Sequence, residues 1–239
     1  MKSGLEIDLP AEPLEAISPI ARTSVEHRVA QTLREMIVTG KLPAGTPLVQ
    51  RELADRLGVS QTPVRLALME LERDGLVAVG ETGRAIVSRL TREDLEELYA
   101  ARYGLEGLAA RAGAPRVTDG DLVAMHAVLE DLDNFAAAQD VDDYLSARWD
   151  FHSICYLASG RTRLVAEVER LFWRGDRYHR LVLSSPERFG RSVGNYHAFF
   201  EACEARDPER AEAVVQDSIR WAVSTAAPTL PSEVEDLPE

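Results

Sequence analysis

The sequence predicts a mainly α-helical fold, in which an N-terminal winged helix-turn-helix unit is followed by a C-terminal all-helical bundle. Apolar residues recur at helical spacing along most of the chain. The β-prone segments LVAV and AIVS flank a glycine-containing turn near residue 80, as in a two-stranded hairpin. A chain of 239 residues is long enough for two modest domains of about 70 and 140 residues. The predicted units are a flexible arm at 1–22, the winged unit at 23–90, the helical domain at 91–226 and an acidic tail at 227–239.

The first helix of the winged unit begins at a capping-box pattern, Thr23 followed by Glu26, and Gly40 ends it. Its apolar residues at helical spacing are Val25, Val29, Leu33, Met36 and Ile37. The next segment, KLPAGTPL, contains two prolines and is predicted to be a connector rather than more helix. A second helix is then expected from about Gln50 to Leu57.

The third helix follows a tight turn that Gly58 permits, and either Ser60 or Thr62 is expected to cap it. Its apolar face consists of Val64, Ala67, Leu68 and Leu71. The helix ends at Asp74 and Gly75. The hairpin comes next, with Gly83 in its turn, and it is the predicted wing.

The second and third helices have the spacing of a helix-turn-helix, which needs long polar side chains on the outer face of its second helix. Because the apolar stripe points inward, Gln61, Thr62 and Arg65 are expected to face outward and to contact base edges. Arg51 and Arg84 are placed to contact phosphates or the minor groove. The full set of predicted DNA-contacting residues is Arg51, Ser60, Gln61, Thr62, Arg65, Thr82, Gly83 and Arg84.

Charge is divided unevenly along the chain, whose net charge is −13. Residues 24–90 carry nine Lys or Arg against eight Asp or Glu, whereas residues 91–239 carry sixteen against twenty-eight. An acidic domain repels phosphate. Contact with nucleic acid therefore has to come from basic groups in the N-terminal part.

Composition excludes several classes of protein. No apolar run approaches the roughly 18 residues of a membrane span, and the N-terminus lacks an apolar segment behind a basic start. Cys155 and Cys203 lie far apart without metal-ligand spacing, so two buried thiols are expected rather than a disulfide or a zinc site. We expect a cytoplasmic protein with no membrane partner.

From Leu90 onward the pattern predicts about six amphipathic helices and no strand. The predicted boundaries are the turn signals GAPRVTD, Gln139-Asp140, ASGR, SSPE and ARDP. Two arginines, Arg102 and Arg148, fall on faces of these helices that ought to be apolar. A buried cation is costly unless it meets an anion, so a carboxylate from the protein or from a ligand is expected beside each.

The segment from about Val25 to Val87 resembles the winged helix of the GntR superfamily, typified by "LA..LGVSRTPVREAL..L..DGLV". Arg51 and Arg65 match the family pattern, whereas Gln61 stands where the family usually has Arg, and Leu66 where it usually has Glu. Loss of an arginine that bonds bidentately to guanine implies a changed or weaker operator preference.

The C-terminal half resembles the FCD-type effector domain of the same family, in its shorter, six-helix branch. RYGLEGLAA from Arg102 matches one motif, and the D...H pattern corresponds to Arg148 and His152. The next two family histidines are matched to His197 and Ser218. The resemblance implies that Arg102, Arg148, His152, His197 and Ser218 form the effector-binding site.

In metal-binding FCD domains, one Asp and three His hold a divalent cation that helps to bind a carboxylate effector. Here Arg148 and Ser218 replace two of those ligands, and two imidazoles beside a fixed positive charge make a poor metal site. We therefore expect no metal and no cofactor, with an arginine pairing directly with an anionic effector. The alternatives are a metal-dependent carboxylate sensor, and a ligand-independent DNA-binding dimer whose arginines are satisfied by internal acids such as Glu106.

The sequence contains no recognisable set of catalytic residues. It has no nucleophile elbow, Gly-rich phosphate loop or His-Glu pair at metalloprotease spacing. The expected protein is a homodimeric transcription regulator, of which repression is the family's commoner mode. Its expected partners are a double-stranded DNA operator and a small, carboxylate-containing effector.

Overall fold

The computed structural model describes residues 25–80 and 83–232. The predicted arm at 1–22, the capping residue Thr23, the wing residue Thr82 and residues 233–239 of the predicted tail lie outside that part of the chain. Within it the helices are α1 (Val25–Val38), α2 (Gln50–Leu57), α3 (Gln61–Arg73), α4 (Arg92–Gly113), α5 (Asp119–Ala138), α6 (Val141–Ala158), α7 (Thr162–Val182), α8 (Pro186–Glu204) and α9 (Pro208–Ala226). The strands are β1 (Val77–Val79) and β2 (Ala85–Val87). The predicted fold class is confirmed.

Helices α1, α2 and α3 enclose one small apolar core, to which the hairpin contributes Val77 and Val87. Gly58, which ends α2, has a left-handed backbone (φ 66°) that favours glycine, and its N–H bonds to the carbonyl of Ala54. Ser60 occupies the N-cap position of α3 without a side-chain hydrogen bond, so the predicted cap is positional only. Its hydroxyl therefore remains available.

The wing is an antiparallel pair in which Val77 lies opposite Val87. Sequence reasoning missed that the proline-containing connector joins this sheet. Pro47 bridges Ile86, and the Leu48 N–H donates to the Ala85 carbonyl at 2.8 Å. Proline is tolerated there because the connector is an edge.

The C-terminal part contains six α-helices, α4 to α9, in the residues described, as predicted. Local signals fix their ends. Thr118 and Asp121 form a complete capping box at the start of α5, and Asp140 caps α6. Ser185 and Asp207 cap α8 and α9, each followed by a proline that cannot continue a preceding helix.

Helix α4 is central to the bundle and packs against α6, α7 and α9. At one point its backbone almost touches α6, since a Cβ added to Gly113 would lie 2.0 Å from the Cys155 carbonyl oxygen. The described residues of the predicted acidic tail, 227–232, contact the start of α4. Residues 227–229 form a 3₁₀ turn, and the Pro231 carbonyl accepts a hydrogen bond from the Arg92 N–H at 3.0 Å. None of the described helices is long and apolar enough to cross a membrane.

Candidate functional site

The outer face of α3 carries the predicted base-contacting residues. Val64, Ala67, Leu68 and Leu71 are buried against the core of the winged unit. Gln61, Thr62 and Arg65 consequently project to solvent from the first two turns of the helix. Ser60, at the N-cap position of α3, and Arg51, in the first turn of α2, are also exposed.

Three arginines of this unit are predicted to contact DNA. Arg51, Arg65 and Arg84 are exposed, and none forms an ion pair in the part of the chain that the structure describes. Arg34 shows the contrast, because it pairs with Glu70 at 3.1 Å and Asp74 at 2.6 Å and ties α1 to α3. Gly83 has φ 74°, which lets the wing reverse direction beside Arg84.

Two apolar side chains also lie on the outer face of α3, and the sequence analysis did not assign them a role. Leu66 and Met69 are 39% and 40% exposed, one helical turn apart. An exposed aliphatic side chain beside Arg65 is suited to the 5-methyl group of thymine. The sequence indicated this apolar surface at Leu66, which stands where the family usually has Glu.

Arg102 and Arg148 are both buried inside the helical bundle, and each pairs with a carboxylate of the protein. Arg102 Nε lies 2.6 Å from Glu106 Oε1, one turn further along α4. Arg148 Nη1 lies 2.8 Å from Asp176 Oδ1 on α7. Both guanidinium groups lie over the ring of Phe172, at 4.9 Å and 4.8 Å from its centroid.

Tyrosines connect these pairs to His152. Tyr156 donates to Glu106 Oε2 at 3.2 Å, and its hydroxyl oxygen lies 3.4 Å from His152 Nδ1. Burial lowers the pKa of His152 well below its usual range, and the nearby Arg148 and Arg102 lower it further. The imidazole of His152 is therefore neutral at pH 7.

Asp176 and His179 are two buried titratable residues of α7 that could not be identified from the sequence pattern. Burial raises the pKa of Asp176 to about 6, against the opposing effect of Arg148. Burial also lowers the pKa of His179 well below its usual range, and His179 Nε2 has no hydrogen-bond partner among the described residues. Arg102 Nη1 is another buried atom without a partner in that part of the chain.

A small cleft of about 10 Å³, room for about one water molecule, lies between α6, α8 and α9. Its lining residues include His152 and Ser218, as the predicted site requires, together with Asn195, Tyr196, Phe199, Val214 and Val215. Tyr196 accepts a hydrogen bond from Arg148 Nε at 2.6 Å. The cleft is thus one hydrogen bond away from the Arg148–Asp176 pair.

The structure does not bring His197 into this group. Its ring is exposed and lies 3.0 Å from Asp133 Oδ1, on the opposite side of α8 from the cleft. The preceding residue, Tyr196, occupies the inward-facing position, because consecutive helical residues point about 100° apart. The structure therefore places Tyr196, and not His197 as predicted, beside His152 at the cleft.

Helix α7 also contacts the winged unit. Arg177 Nη2 donates to the Ser88 carbonyl at 2.5 Å, just after β2, and Arg180 Nε donates to the Val38 carbonyl at 3.2 Å, at the end of α1. Arg174 packs over Gly75, where an added Cβ would lie 2.5 Å from Arg174 Nε. Asp176 and these arginines occupy adjacent turns of one helix.

Comparison with known proteins gives the class of the molecule. The family model described as "Bacterial regulatory proteins, gntR family" matches residues 26–87, and the model described as "FCD domain" matches residues 97–220. The chain is 32% identical over 226 residues to the HTH-type transcriptional regulator Rv0494 of Mycobacterium tuberculosis, covering 87% of this chain and 91% of that protein.

Two Escherichia coli K12 proteins are also similar. McbR, an HTH-type transcriptional regulator, is 28% identical over 188 residues, covering 78% of this chain and 85% of McbR. The solved structure of E. coli McbR/YncC superposes with a TM-score of 0.76 at 25% identity, covering 87% of this chain and 99% of that structure. The transcriptional repressor RspR is 25% identical over 195 residues, 79% of this chain and 82% of RspR.

The chain belongs to the GntR family of bacterial transcription regulators, with an FCD domain at its C-terminal side. The family resemblance found in the sequence is confirmed. Members of this class are regulators and not enzymes.

The divalent metal that the FCD resemblance implies does not fit these side chains. Among the residues that line the cleft, His152 is the only common metal ligand, and the nearest carboxylate, Asp176, is paired with Arg148. The fixed charge of Arg148 opposes a second cation. Within residues 25–80 and 83–232, no group of three or more His, Cys, Asp or Glu side chains is arranged to hold a metal ion.

Proposed function

We propose that this chain is a homodimeric, sequence-specific operator-binding repressor that acts in the bacterial cytoplasm. The exposed polar row on α3, Gln61, Thr62 and Arg65, carries the proposal, because it follows a helix-turn-helix turn and none of residues 25–80 and 83–232 covers it. A single winged unit contacts only a few base pairs, so a two-fold dimer that binds an imperfect palindrome supplies the required specificity. Repression follows the mode named for the similar protein RspR.

Some of these side chains select the DNA sequence, and others increase the affinity for DNA of any sequence. The Arg65 guanidinium is suited to bidentate hydrogen bonds with guanine O6 and N7, and the Gln61 amide to adenine N6 and N7. Arg51 and Arg84 contact phosphates, where they add affinity without sequence information. The acidic helical domain remains off the DNA.

The first test selects binding sites from a pool of random double-stranded DNA with the purified full chain, and then measures affinity for the recovered sequence. We expect a palindromic consensus. Arg65→Ala should weaken binding to it by about 10- to 100-fold, because one bidentate base contact is lost. Arg84→Ala should weaken binding to all sequences alike and reduce the slope of affinity against salt by about one.

Arg73→Ala is the matched control, since Arg73 is an exposed arginine at the opposite end of the same helix. It should leave the consensus and the affinity unchanged. If selection recovers no consensus, or if Arg65→Ala binds the consensus as tightly as the parent protein, the proposed reading surface is wrong.

We further propose that a small carboxylate controls operator binding by entering the cleft beside His152 and Ser218 and pairing with Arg148 in place of Asp176. The position of α7 favours this second proposal. Its inner face carries Asp176, the partner of Arg148, and its outer face carries Arg177 and Arg180, which contact the winged unit. Exchange of the partner of Arg148 would therefore move the element that positions the DNA-binding unit.

The cleft has room for about one water molecule, so the ligand-bound form must be wider than the form described here. The observed ion pair belongs to the ligand-free state under this proposal. A carboxylate is the required chemistry because the cleft lies beside a buried guanidinium and two neutral hydrogen-bonding residues, His152 and Asn195.

The test measures the thermal unfolding of chelator-treated protein with acetate, malate, citrate or benzoate, with and without zinc or nickel. Ser218→Leu fills the cleft without removing a charge, and Ser153→Leu adds the same apolar surface at a half-buried position on α6 that does not line the cleft. We expect one acid to raise the unfolding midpoint of the parent protein and of Ser153→Leu, but not of Ser218→Leu. The same acid should change operator affinity.

The other outcomes decide between the alternatives. Stabilisation that requires added metal would support a metal-dependent carboxylate sensor. Stabilisation that persists in Ser218→Leu would place the ligand elsewhere. If no acid stabilises the protein while operator binding is intact, the chain is a ligand-independent DNA-binding dimer.

A further inference from the structure

A second and much larger pocket lies on the surface between α8 and the end of α9. Its volume is about 430 Å³, within the range of small-molecule sites. The side chains that matter here are Arg188, Arg191, Trp221, Ser224, Thr225 and Thr229. The pocket shares no lining residue with the cleft at His152, so the two are separate sites.

The two arginines of this pocket have no carboxylate partner in the described part of the chain. Nine arginines of the helical domain form ion pairs with Asp or Glu side chains in the described part of the chain. Arg188 and Arg191 are not among them. Arg188 bonds to the Ser184 hydroxyl at 2.6 Å, and Arg191 lies over the Trp221 ring at 5.2 Å from its centroid.

The sole carboxylate lining the pocket, Glu187, pairs with neither arginine in the described structure. Two cations one helical turn apart therefore face the same opening, and the one carboxylate that lines it forms an ion pair with neither. Hydroxyl groups of Ser224, Thr225 and Thr229 and the indole of Trp221 surround them. Guanidinium and hydroxyl groups are the usual partners of phosphate and carboxylate oxygens, and the indole provides an apolar wall.

We infer that this pocket binds a small anion, with a phosphate or carboxylate group between Arg188 and Arg191 and a planar or apolar portion against Trp221. Charge, hydroxyl groups and an aromatic wall meet here in a space large enough for a ligand of about ten non-hydrogen atoms. This binding site does not depend on the proposed effector cleft.

The position of the pocket also connects it to the DNA-binding unit. Arg188 Nη1 lies 3.5 Å from the Leu181 carbonyl, in the last turn of α7, and the neighbouring Arg180 bonds to the end of α1. On the other side, the segment after Thr229 continues to Pro231, which accepts a hydrogen bond from the Arg92 N–H at the start of α4. A bound anion would tighten the contacts between the two units. This regulatory consequence, unlike the binding itself, rests on the proposed operator function.

The binding experiment titrates the full chain at constant ionic strength with phenyl phosphate, benzoate, inorganic phosphate and the neutral benzyl alcohol, and follows heat or tryptophan fluorescence. We expect saturable binding of phenyl phosphate or benzoate, and none of benzyl alcohol. Preference between the first two identifies the head group as phosphate or carboxylate. Arg188→Gln and Arg191→Gln should each weaken binding by about tenfold or more, because each removes a charge-assisted hydrogen bond.

Two control variants locate the site. Arg163→Gln removes an exposed arginine from the first turn of α7 and should leave the affinity unchanged. Ser218→Leu, which fills the other cleft, should also leave it unchanged. The inference is overturned if no probe binds saturably, if both arginine variants bind as the parent protein does, or if Ser218→Leu abolishes binding.

Operator affinity is measured separately, with and without the probe that binds. A change that disappears in Arg191→Gln supports coupling to DNA binding. If Arg191→Gln weakens operator binding equally with and without the probe, Arg191 contributes to operator binding directly, and the proposed coupling between the anion site and DNA binding is wrong.

Discussion

Asp176→Asn tests the account of the buried ion pair most directly. The substitution keeps an oxygen acceptor opposite Arg148 Nη1 but removes the ionisable group. In the parent protein the pKa of Asp176 is raised from 3.8 to about 6, so the folded state binds this proton more tightly than the unfolded state. Stability from this group is therefore fully present below about pH 4 and is lost as the pH rises to about 6.

The magnitude follows from the shift. About two pKa units correspond to about 3 kcal/mol of unfolding free energy. With a urea slope of about 2 kcal/mol/M, this amounts to about 1.5 M in the unfolding midpoint. Asp176→Asn should lack this component between pH 4 and 7.

The assay follows urea unfolding by tryptophan fluorescence across this pH range. All three tryptophans, Trp149, Trp173 and Trp221, lie in the helical domain, so their emission reports that domain and not the winged unit. His152 and His179 act in the opposite direction, because their lowered pKa values make folding less favourable in acid. They are present in both proteins and cancel in the difference. Equal pH slopes for the parent protein and Asp176→Asn would refute the reasoning.

Three further predictions concern the bundle. Arg148→Met should lower the free energy of unfolding by about 3–5 kcal/mol, because it leaves Asp176 buried without its cation. It should also move the pH-dependent loss of stability above pH 6. An unchanged pH range for this loss in urea unfolding would contradict the prediction. Gly113→Ala should destabilise the domain by more than about 3 kcal/mol, since the new Cβ would lie 2.0 Å from a backbone oxygen. Gly104→Ala, in open space on the same helix, should stabilise the domain by about 0.5–1 kcal/mol. Similar effects of the two Gly→Ala variants in thermal unfolding would refute the close approach of Gly113 to α6. Thr118→Ala should cost about 1 kcal/mol by removing the capping box of α5, and no change in the unfolding midpoint would argue against that cap.

Much of the fold could be predicted because the residues that begin and end its helices act locally. The ends of α6, α8 and α9 follow from Asp140, Ser185 and Asp207, which satisfy N–H groups at helix starts whatever the rest of the chain does. The burial of Arg102 and its partner Glu106 could also be anticipated, since residues four apart share one helical face.

The partner of Arg148 could not be predicted in the same way. Asp176 lies 28 residues away on another helix, in a run of five buried residues from Gly175 to His179. This turn of α7 is covered by the bundle on one side and by the winged unit on the other, so burial there has no helical period to detect. The motif match selected His197 although Tyr196 is the residue that faces inward. This error has a similar origin, because matching a motif by residue type does not determine which of two adjacent residues faces inward.

The charge balance of the buried cluster predicts how an effector must bind. Arg102 and Arg148 are matched by Glu106 and Asp176, so the cluster has no charge left for an added anion. A carboxylate that takes Arg148 from Asp176 leaves that residue buried without a cation, and Asp176 must then accept a proton. Since the pKa of Asp176 is about 6, binding above that pH takes up about one proton.

The proton uptake gives the proposed exchange a signature that simple addition of a ligand lacks. Affinity for the effector acid should fall about tenfold for each pH unit above 6, and the heat of binding should depend on the ionisation enthalpy of the buffer. In Asp176→Asn both effects should vanish while the acid still binds, because the amide cannot take up a proton. An affinity that stays constant from pH 6 to 8 in the parent protein would mean that Arg148 keeps Asp176 when the effector binds, and the ligand would then have to act on α7 through His152 and Tyr196 alone.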